Sequence, residues 1–195
     1  MNYKLHSETP TAWADRVIDD FDDFLVNHAA CERKAGAAAK HFAVRYHDKP
    51  ELIDQMIQLA REELAHFHQV FRLLRDRGGS LGPDQKDPYV NGLLSEAKSG
   101  GPERLLDRLI VGSIVEYRGC ERFALLSRRM ETRECDPELV DFFKGLAADD
   151  SRHRQVYLEM AERYFDPERV AERLEEFLEV EDALLEELPE RATLY

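Results

Sequence analysis

The sequence predicts an all-α fold: a four-helix bundle with one long crossover and an extra helix at the C-terminus. Dipeptides typical of helix starts divide the chain into long segments, apolar residues recur within these segments at helical spacing, and one long linker separates the second segment from the third. The chain has 195 residues, of which 43% are hydrophobic and 34% are charged. This size and composition suit a single domain with a substantial core over residues 1–195.

The predicted helices begin at prolines. Thr9-Pro10 opens the first, which extends to about Tyr46 with or without an interruption near residues 19–23. The other four start signals are all Pro-Glu pairs, which place an acidic residue in the first turn, where the helix dipole favours it. These pairs predict helices at residues 50–77, 102–130, 137–165 and 167–188, so that the bundle occupies about residues 11–165.

The linker between the second and third helices covers residues 78–101 and contains six glycines and a short possible helix at residues 89–97. A helix of 28 residues is about 42 Å long, and an extended linker of this size reaches roughly 80 Å. The linker is therefore long enough to cross the whole bundle. One long crossover between two tight helix hairpins is the connectivity of ferritin-like bundles.

A carboxylate and a histidine recur three residues apart in two of the predicted helices, as Glu63 with His66 and as Asp150 with His153. On a helix this spacing places both side chains on one face, one turn apart. A single pair often arises by chance on a solvated helix. Two pairs, in register with a second repeated motif, indicate a metal site.

The second repeated motif is Cys31-Glu32-Arg33, which recurs as Cys120-Glu121-Arg122. The repeats precede Glu63 and Asp150 by similar intervals, which indicates an internal duplication of a two-helix unit. Ferritin-like carboxylate proteins bind two metal ions with one glutamate from each of two helices and a Glu-x-x-His motif from each of the other two. The predicted metal ligands are Glu32, Glu63, His66, Glu121, Asp150 and His153.

The predicted ligands lie on apolar stripes. Met56 and Leu59 precede Glu63 by seven and four residues, and Phe67 and Val70 follow it at the same intervals. Carboxylates directed into an apolar interior are costly unless they are paired or bound to cations. Two bound iron ions are the simplest source of the positive charge that would compensate these buried carboxylates.

Three further residues are candidates for supporting these ligands. Glu62 and Asp149 each precede a predicted histidine ligand by four residues and are placed to hold its other ring nitrogen, although surface acids at helical spacing are an equal alternative. His28 lies one turn before Glu32, either as such a support or as an ordinary buried histidine.

The net charge of -13 is concentrated near the C-terminus, where residues 161–195 hold 4 basic and 12 acidic side chains. Elsewhere the charges are nearly balanced, and the local arginine clusters are typical of solvated helix faces. No apolar run reaches the length of a membrane span, the N-terminus has no signal-peptide core, and three cysteines make no disulfide framework. We therefore expect a cytoplasmic protein.

Four segments carry a resemblance to a known family: residues 27–35, 60–67, 105–109 and 116–123. In these segments the chain resembles the tRNA 2-methylthio-isopentenyladenosine hydroxylases, or MiaE family, which are ferritin-like non-haem diiron monooxygenases. One ligand position departs from the family pattern. The family's fourth helix resembles Ser-Glu-Ala-Arg-His, whereas this chain has Asp149-Asp150-Ser151-Arg152-His153, so Asp150 replaces a longer carboxylate.

The resemblance implies an oxygen-dependent hydroxylase that acts on the isopentenyl group of a modified adenosine in tRNA, with dioxygen as co-substrate. The implied partners are the tRNA anticodon loop and a separate, unidentified reductase, since the chain has no Gly-x-Gly-x-x-Gly fingerprint for a flavin or nicotinamide. Neither DNA nor a membrane is an expected partner. The arginines that we expect to contact tRNA phosphates are Arg72, Arg75, Arg77, Arg128, Arg129 and Arg133.

Two other functions remain open from the sequence alone. The first is an iron-oxidising or peroxide-reducing protein of the ferritin or rubrerythrin type. A rubrerythrin would be expected to carry Cys-x-x-Cys pairs, which this chain lacks. The second is a helical interaction module without catalysis, which leaves the duplicated buried acids unexplained.

Overall fold

The computed structural model describes residues 2–83, 86–188 and 191–195, and within these ranges it contains seven α-helices and no β-strand. The predicted all-α class is therefore confirmed. The helices are α1 (Thr11–Asp19), α2 (Phe21–Arg45), α3 (Pro50–Asp76), α4 (Pro88–Ser95), α5 (Glu103–Thr132), α6 (Pro137–Tyr164) and α7 (Pro167–Glu187).

The helix starts follow the local signals in the sequence. Proline occupies the first turn of α3, α4, α6 and α7, where its missing N–H costs no hydrogen bond. The side chains of Asp87, Asp136 and Asp166 cap α4, α6 and α7 by accepting hydrogen bonds from backbone N–H groups of the first turn.

The first predicted helix is divided in two at Asp20, whose backbone angles of φ -112° and ψ 44° are not helical. Four of the five residues from 19 to 23 are aspartates, which have low helix propensity because their side chains compete for backbone groups. The short helix expected at residues 89–97 is present as α4. The remainder of the predicted crossover connects α3 to α4 and α4 to α5, and residues 84 and 85 lie outside the described residues.

The described residues form two compact units. One of them, which we call the α2–α3 unit, comprises residues 16–83 and 191–194. Its two long helices are consecutive, are joined by four residues and pack against each other as a hairpin, with Phe24, Leu25 and Met56 among its fully buried side chains. The two helices are in direct contact at Gly36, where a Cβ would lie 3.4 Å from Glu63 Cβ, an ordinary van der Waals distance.

The other unit, which we call the α5–α6 unit, comprises residues 2–15, 86–188 and 195. The helices α5 and α6 form its hairpin, α7 packs against both of them, and α4 packs against α5 and α7. Gly112 lets α5 approach α6, because a Cβ at this position would lie 2.7 Å from the Tyr157 ring. The N-terminal segment adds Tyr3, whose hydroxyl lies 2.9 Å from Ser113 Oγ.

Among the described residues, no helix has the length and apolar character that crossing a bilayer requires.

Candidate metal centre

The α2–α3 unit brings together three of the predicted ligands. Glu32 lies on α2, and Glu63 and His66 lie one turn apart on α3; all three side chains are buried. His66 Nδ1 lies 3.6 Å from Glu32 Oε2 and 3.5 Å from Glu63 Oε2. One donor atom from each residue lies within 4.8 Å of the others, so the three side chains converge on one point.

The spacing of these donor atoms fits a metal ion. Separations of 3.5 and 3.6 Å are at or beyond the limit of a good hydrogen bond. Two ligand atoms bonded to one ion at about 2.1 Å, with an angle of about 90–120°, are themselves about 3.0–3.6 Å apart. The three side chains therefore fit a shared cation better than they fit hydrogen bonds with one another.

The electrostatics of this cluster also favour a cation. Burial acts to lower the pKa of His66, but the carboxylates of Glu32 and Glu63 stabilise the protonated ring more strongly and raise that pKa to about 10. Burial acts to raise the pKa of Glu32, but the hydrogen bond from His28 and the adjacent imidazole of His66 outweigh it and hold this pKa well below its ordinary value. A metal ion would supply the positive charge that a proton on His66 otherwise provides.

His28 holds Glu32 in place. Its Nε2 lies 2.6 Å from Glu32 Oε1, one turn away on α2, and the imidazole is fully buried beside the Phe24 ring. The hydrogen bond fixes one oxygen of the carboxylate and leaves Oε2 directed towards His66. Partners that orient a ligand in this way tune its position and basicity.

The α5–α6 unit contains a second set of buried donors. Asp150 and His153 lie one turn apart on α6, and Glu116 on α5 has its Oε2 3.6 Å from His153 Nδ1. Asp150 occupies space that a side chain at residue 119 would take, because a Cβ on Gly119 would overlap Asp150 Oδ2. The same Cβ would lie 3.0 Å from the hydroxyl of Tyr195.

Glu116, and not the predicted ligand Glu121, is the α5 glutamate that lies beside His153. The Glu121 carboxylate accepts hydrogen bonds from the backbone N–H of Thr9 at 2.8 Å and from the Thr9 hydroxyl at 2.6 Å. It also forms an ion pair with Arg118 at 3.3 Å. These contacts engage both oxygens of Glu121 and anchor the N-terminal segment, so Thr9 binds this carboxylate instead of starting the first helix.

The difference arises because α5 is buried on several sides. It packs against α4, α6 and α7, so more than one line of apolar residues runs along it, and the periodicity does not select one glutamate. Glu116 lies seven residues from both Leu109 and Phe123, which are fully buried. That spacing is the feature of the sequence that could have identified Glu116. The Cys-Glu-Arg repeat pointed instead to Glu121.

The other two candidate supports differ from His28. Asp149 forms an ion pair with Arg152 at 2.8 Å on the exposed side of α6, which agrees with the alternative of a surface acid. Glu62 is half-buried on α3.

Most of the arginines expected to bind tRNA form ion pairs. Arg75 pairs with Asp76 and Arg77 with Asp22, while Arg129 and Arg133 both pair with Asp15. Exposed pairs of this kind leave little net positive charge for a polyanion. Arg72 and Arg128 are exposed and form no ion pair with another described residue.

A buried ion pair lies beside Glu121. Arg118 and Glu181 are both fully buried, with Arg118 Nη2 2.8 Å from Glu181 Oε1. The Tyr89 hydroxyl donates a hydrogen bond of 3.0 Å to the same oxygen, which connects α4, α5 and α7. The sequence analysis did not anticipate this pair, whose members are 63 residues apart.

Each of the two candidate ligand sets thus comprises two buried carboxylates and one histidine. Hard oxygen donors with imidazole suit iron or manganese, and sites of this composition in helical bundles hold two such ions. The structure therefore fits a dinuclear metal protein of the ferritin-like class.

Comparisons with known proteins agree with this description. A relative from Pseudomonas putida, named tRNA 2-(methylsulfanyl)-N(6)-isopentenyladenosine(37) hydroxylase, is 38% identical, and the match covers 88% of this chain and 81% of the relative. A protein of the same name from Salmonella typhimurium is 28% identical, with 93% of this chain and 83% of the relative covered.

A solved structure described as "Protein 43 with aldehyde deformylating oxygenase activity from Synechococcus" superposes with a TM-score of 0.91 at 33% identity. The match covers 99% of this chain and 96% of that one, which confirms the predicted ferritin-like fold. Residues 1–194 match the family described as tRNA-(MS[2]IO[6]A)-hydroxylase (MiaE). The resemblance noted in the sequence is therefore confirmed, and the chain belongs to this family.

Proposed function

We propose that this protein is an oxygen-dependent hydroxylase that acts on the isopentenyl group of 2-methylthio-isopentenyladenosine in tRNA. The observation that carries the proposal is the convergence of Glu32, Glu63 and His66 on one point, in a chain whose relatives are named as tRNA hydroxylases. Carboxylate-rich sites of this kind suit oxygen activation, because hard anionic donors stabilise oxidised iron.

We propose two iron ions as the cofactor, one for each set of buried donors. Asp150 supplies a shorter side chain than the family's glutamate, and Gly119 provides the space in which its carboxylate lies. The proposed ligands are Glu32, Glu63 and His66 from the α2–α3 unit and Glu116, Asp150 and His153 from the α5–α6 unit.

The bound iron would supply the activation of dioxygen for insertion of one oxygen atom into a C–H bond. The protein's own groups hold and shield the ligands. His28 fixes Glu32 through its hydrogen bond, and burial keeps bulk water away from both ligand sets. The chain has no nicotinamide or flavin fingerprint, so we propose that the electrons come from a separate reductase.

The proposed substrate does not require a dedicated RNA-binding domain. A modified base in an anticodon loop is already single-stranded, so drawing it into a pocket costs only its unstacking, about a few kcal/mol. Because tRNA is the proposed substrate, we also propose a cytoplasmic location.

The substrate assignment can be tested in cells with and without the gene. Mass spectrometry of tRNA nucleosides is expected to show the hydroxylated base only when the wild-type gene is present, and its unhydroxylated precursor otherwise. A His66→Ala gene is expected to behave like the deletion, because the variant lacks one iron ligand. Identical nucleosides with and without the gene would reject the proposed substrate.

A further inference from the structure

The outer faces of α2 and α3 carry the three large hydrophobic side chains that are exposed among the described residues. These are Val44, Ile57 and Leu64, which are 68%, 47% and 53% exposed. Scattered exposed apolar residues are ordinary on any protein surface. Here all three lie on one hairpin, and grouping of this kind is typical of an interaction surface.

The same hairpin carries exposed cations that form no ion pair with another described residue. Residues 33–45 include four Lys or Arg and no Asp or Glu, in a chain whose net charge is -13. Lys40 on α2 and Arg61 and Arg72 on α3 are exposed, and none of these three forms an ion pair with another described residue. They differ in this respect from Arg75 and Arg77, which pair with aspartates.

The apolar and basic side chains of α3 lie along one exposed face of that helix. On α3, positions 57, 61, 64, 68 and 72 recur every three or four residues and form a single exposed stripe that contains no acid. Leu64 Cγ lies 3.5 Å from the point where a Cβ of Gly36 would be, so the leucine side chain lies across α2. We call this surface the α2–α3 face: Lys40, Val44, Ile57, Arg61, Leu64 and Arg72.

We propose that the α2–α3 face binds the anticodon loop of the substrate tRNA, an inference that rests on the proposed function. Single-stranded loops offer both phosphates and unstacked bases, and proteins bind them by combining cations with apolar contacts to the bases. A duplex would contact only the cations, through its phosphates, because its bases are stacked and not available to the apolar side chains. Leu64 follows Glu63 directly, so a loop on this face contacts the helix that carries two of the proposed iron ligands.

Charge reversal with a matched control tests the face. The test variant is Lys40→Glu with Arg61→Glu. The control is Lys4→Glu with Lys98→Glu, which changes the net charge equally at two exposed cations that lie outside the α2–α3 unit and form no ion pair with another described residue. The affinity of the iron-loaded full chain for tRNA that bears the isopentenylated base is measured over a series of salt concentrations.

The test variant is expected to bind tRNA at least about tenfold more weakly than the wild type, and its salt dependence is expected to be shallower by about two in log–log slope, because two phosphate contacts are lost. The control is expected to remain within about threefold of the wild type. Leu64→Ser is expected to weaken binding about fivefold or more with an unchanged slope, because a contact to a base releases no counterions.

Helical content and iron content equal to those of the wild type show that each variant is folded. Equal weakening by the test and control variants would overturn the proposal, because net charge alone would explain it. A test variant that binds tRNA with the affinity of the wild type would also overturn it, since the loop would then be bound elsewhere. If the wild-type protein hydroxylates tRNA and the test variant binds tRNA as tightly as the wild type, only the proposed binding face is rejected and the proposed function is kept. A wild-type protein that neither binds nor hydroxylates tRNA rejects the proposed function as well.

Discussion

Glu116→Gln is expected to remove iron and activity, whereas Glu121→Gln is expected to retain both. Each substitution removes an anionic donor from α5 at nearly constant volume, so the two variants form a matched pair. Glu116 lies 3.6 Å from the ring nitrogen of His153, while Glu121 is bound by Thr9 and Arg118. Substitution even of groups that only orient a ligand typically costs about 10–100-fold in metal affinity or activity. Loss of a ligand is expected to cost at least about 100-fold in turnover.

Iron analysis of the two purified variants, together with hydroxylation of tRNA, measures this difference. Glu121→Gln is expected to lose some thermal stability, because its charged contact with Arg118 is weakened. Iron that is lost from Glu121→Gln but retained in Glu116→Gln would contradict the assignment and support the ligand set expected from the repeated Cys-Glu-Arg motif.

The second large effect is expected on stability. Glu181→Leu removes the carboxylate that neutralises Arg118 in a fully buried position. Removing one partner of a buried ion pair costs about 3–5 kcal/mol, because the other charge remains uncompensated. For a chain of this size that corresponds to a decrease of roughly 6–20 °C in the midpoint of thermal unfolding. The remaining contact between Arg118 and Glu121 places the expectation towards the lower end.

The control for this prediction is the double variant Glu181→Leu with Arg118→Met. It removes both buried charges, so it is expected to be more stable than Glu181→Leu alone. Thermal unfolding followed by circular dichroism gives the comparison. A single variant with an unfolding midpoint close to that of the wild type would show that the pair does not hold α5 and α7 together.

The helices were largely predictable because their boundaries are encoded locally. A proline in the first turn followed by an acidic residue predicted the start of α3, α6 and α7, and aspartate caps support the start of α6 and α7. The division between α1 and α2 was left open, because the aspartates around Asp20 disfavour a helix without forbidding it. Only the structure shows that the helix is interrupted at Asp20.

The candidate site was predictable where one helix face is unambiguous. Glu63 and His66 lie on an amphipathic helix with a clear apolar stripe, so their burial followed from spacing. Glu116 was missed because α5 is buried on several sides. The ion pairs of Arg77 with Asp22 and of Arg118 with Glu181 join residues far apart in the sequence, so they depend on tertiary packing that no local pattern reveals.

The measurement that tests the central claim most directly is hydroxylation of tRNA by the purified, iron-loaded protein under isotopically labelled dioxygen. The reaction contains tRNA with the isopentenylated base and a chemical reductant in place of the unidentified electron donor. The account predicts one labelled oxygen atom in the isopentenyl group of the modified nucleoside, and no product from a His153→Ala protein. Oxygen consumption or iron oxidation without labelled nucleoside would contradict the account and favour an iron-handling protein of the ferritin type.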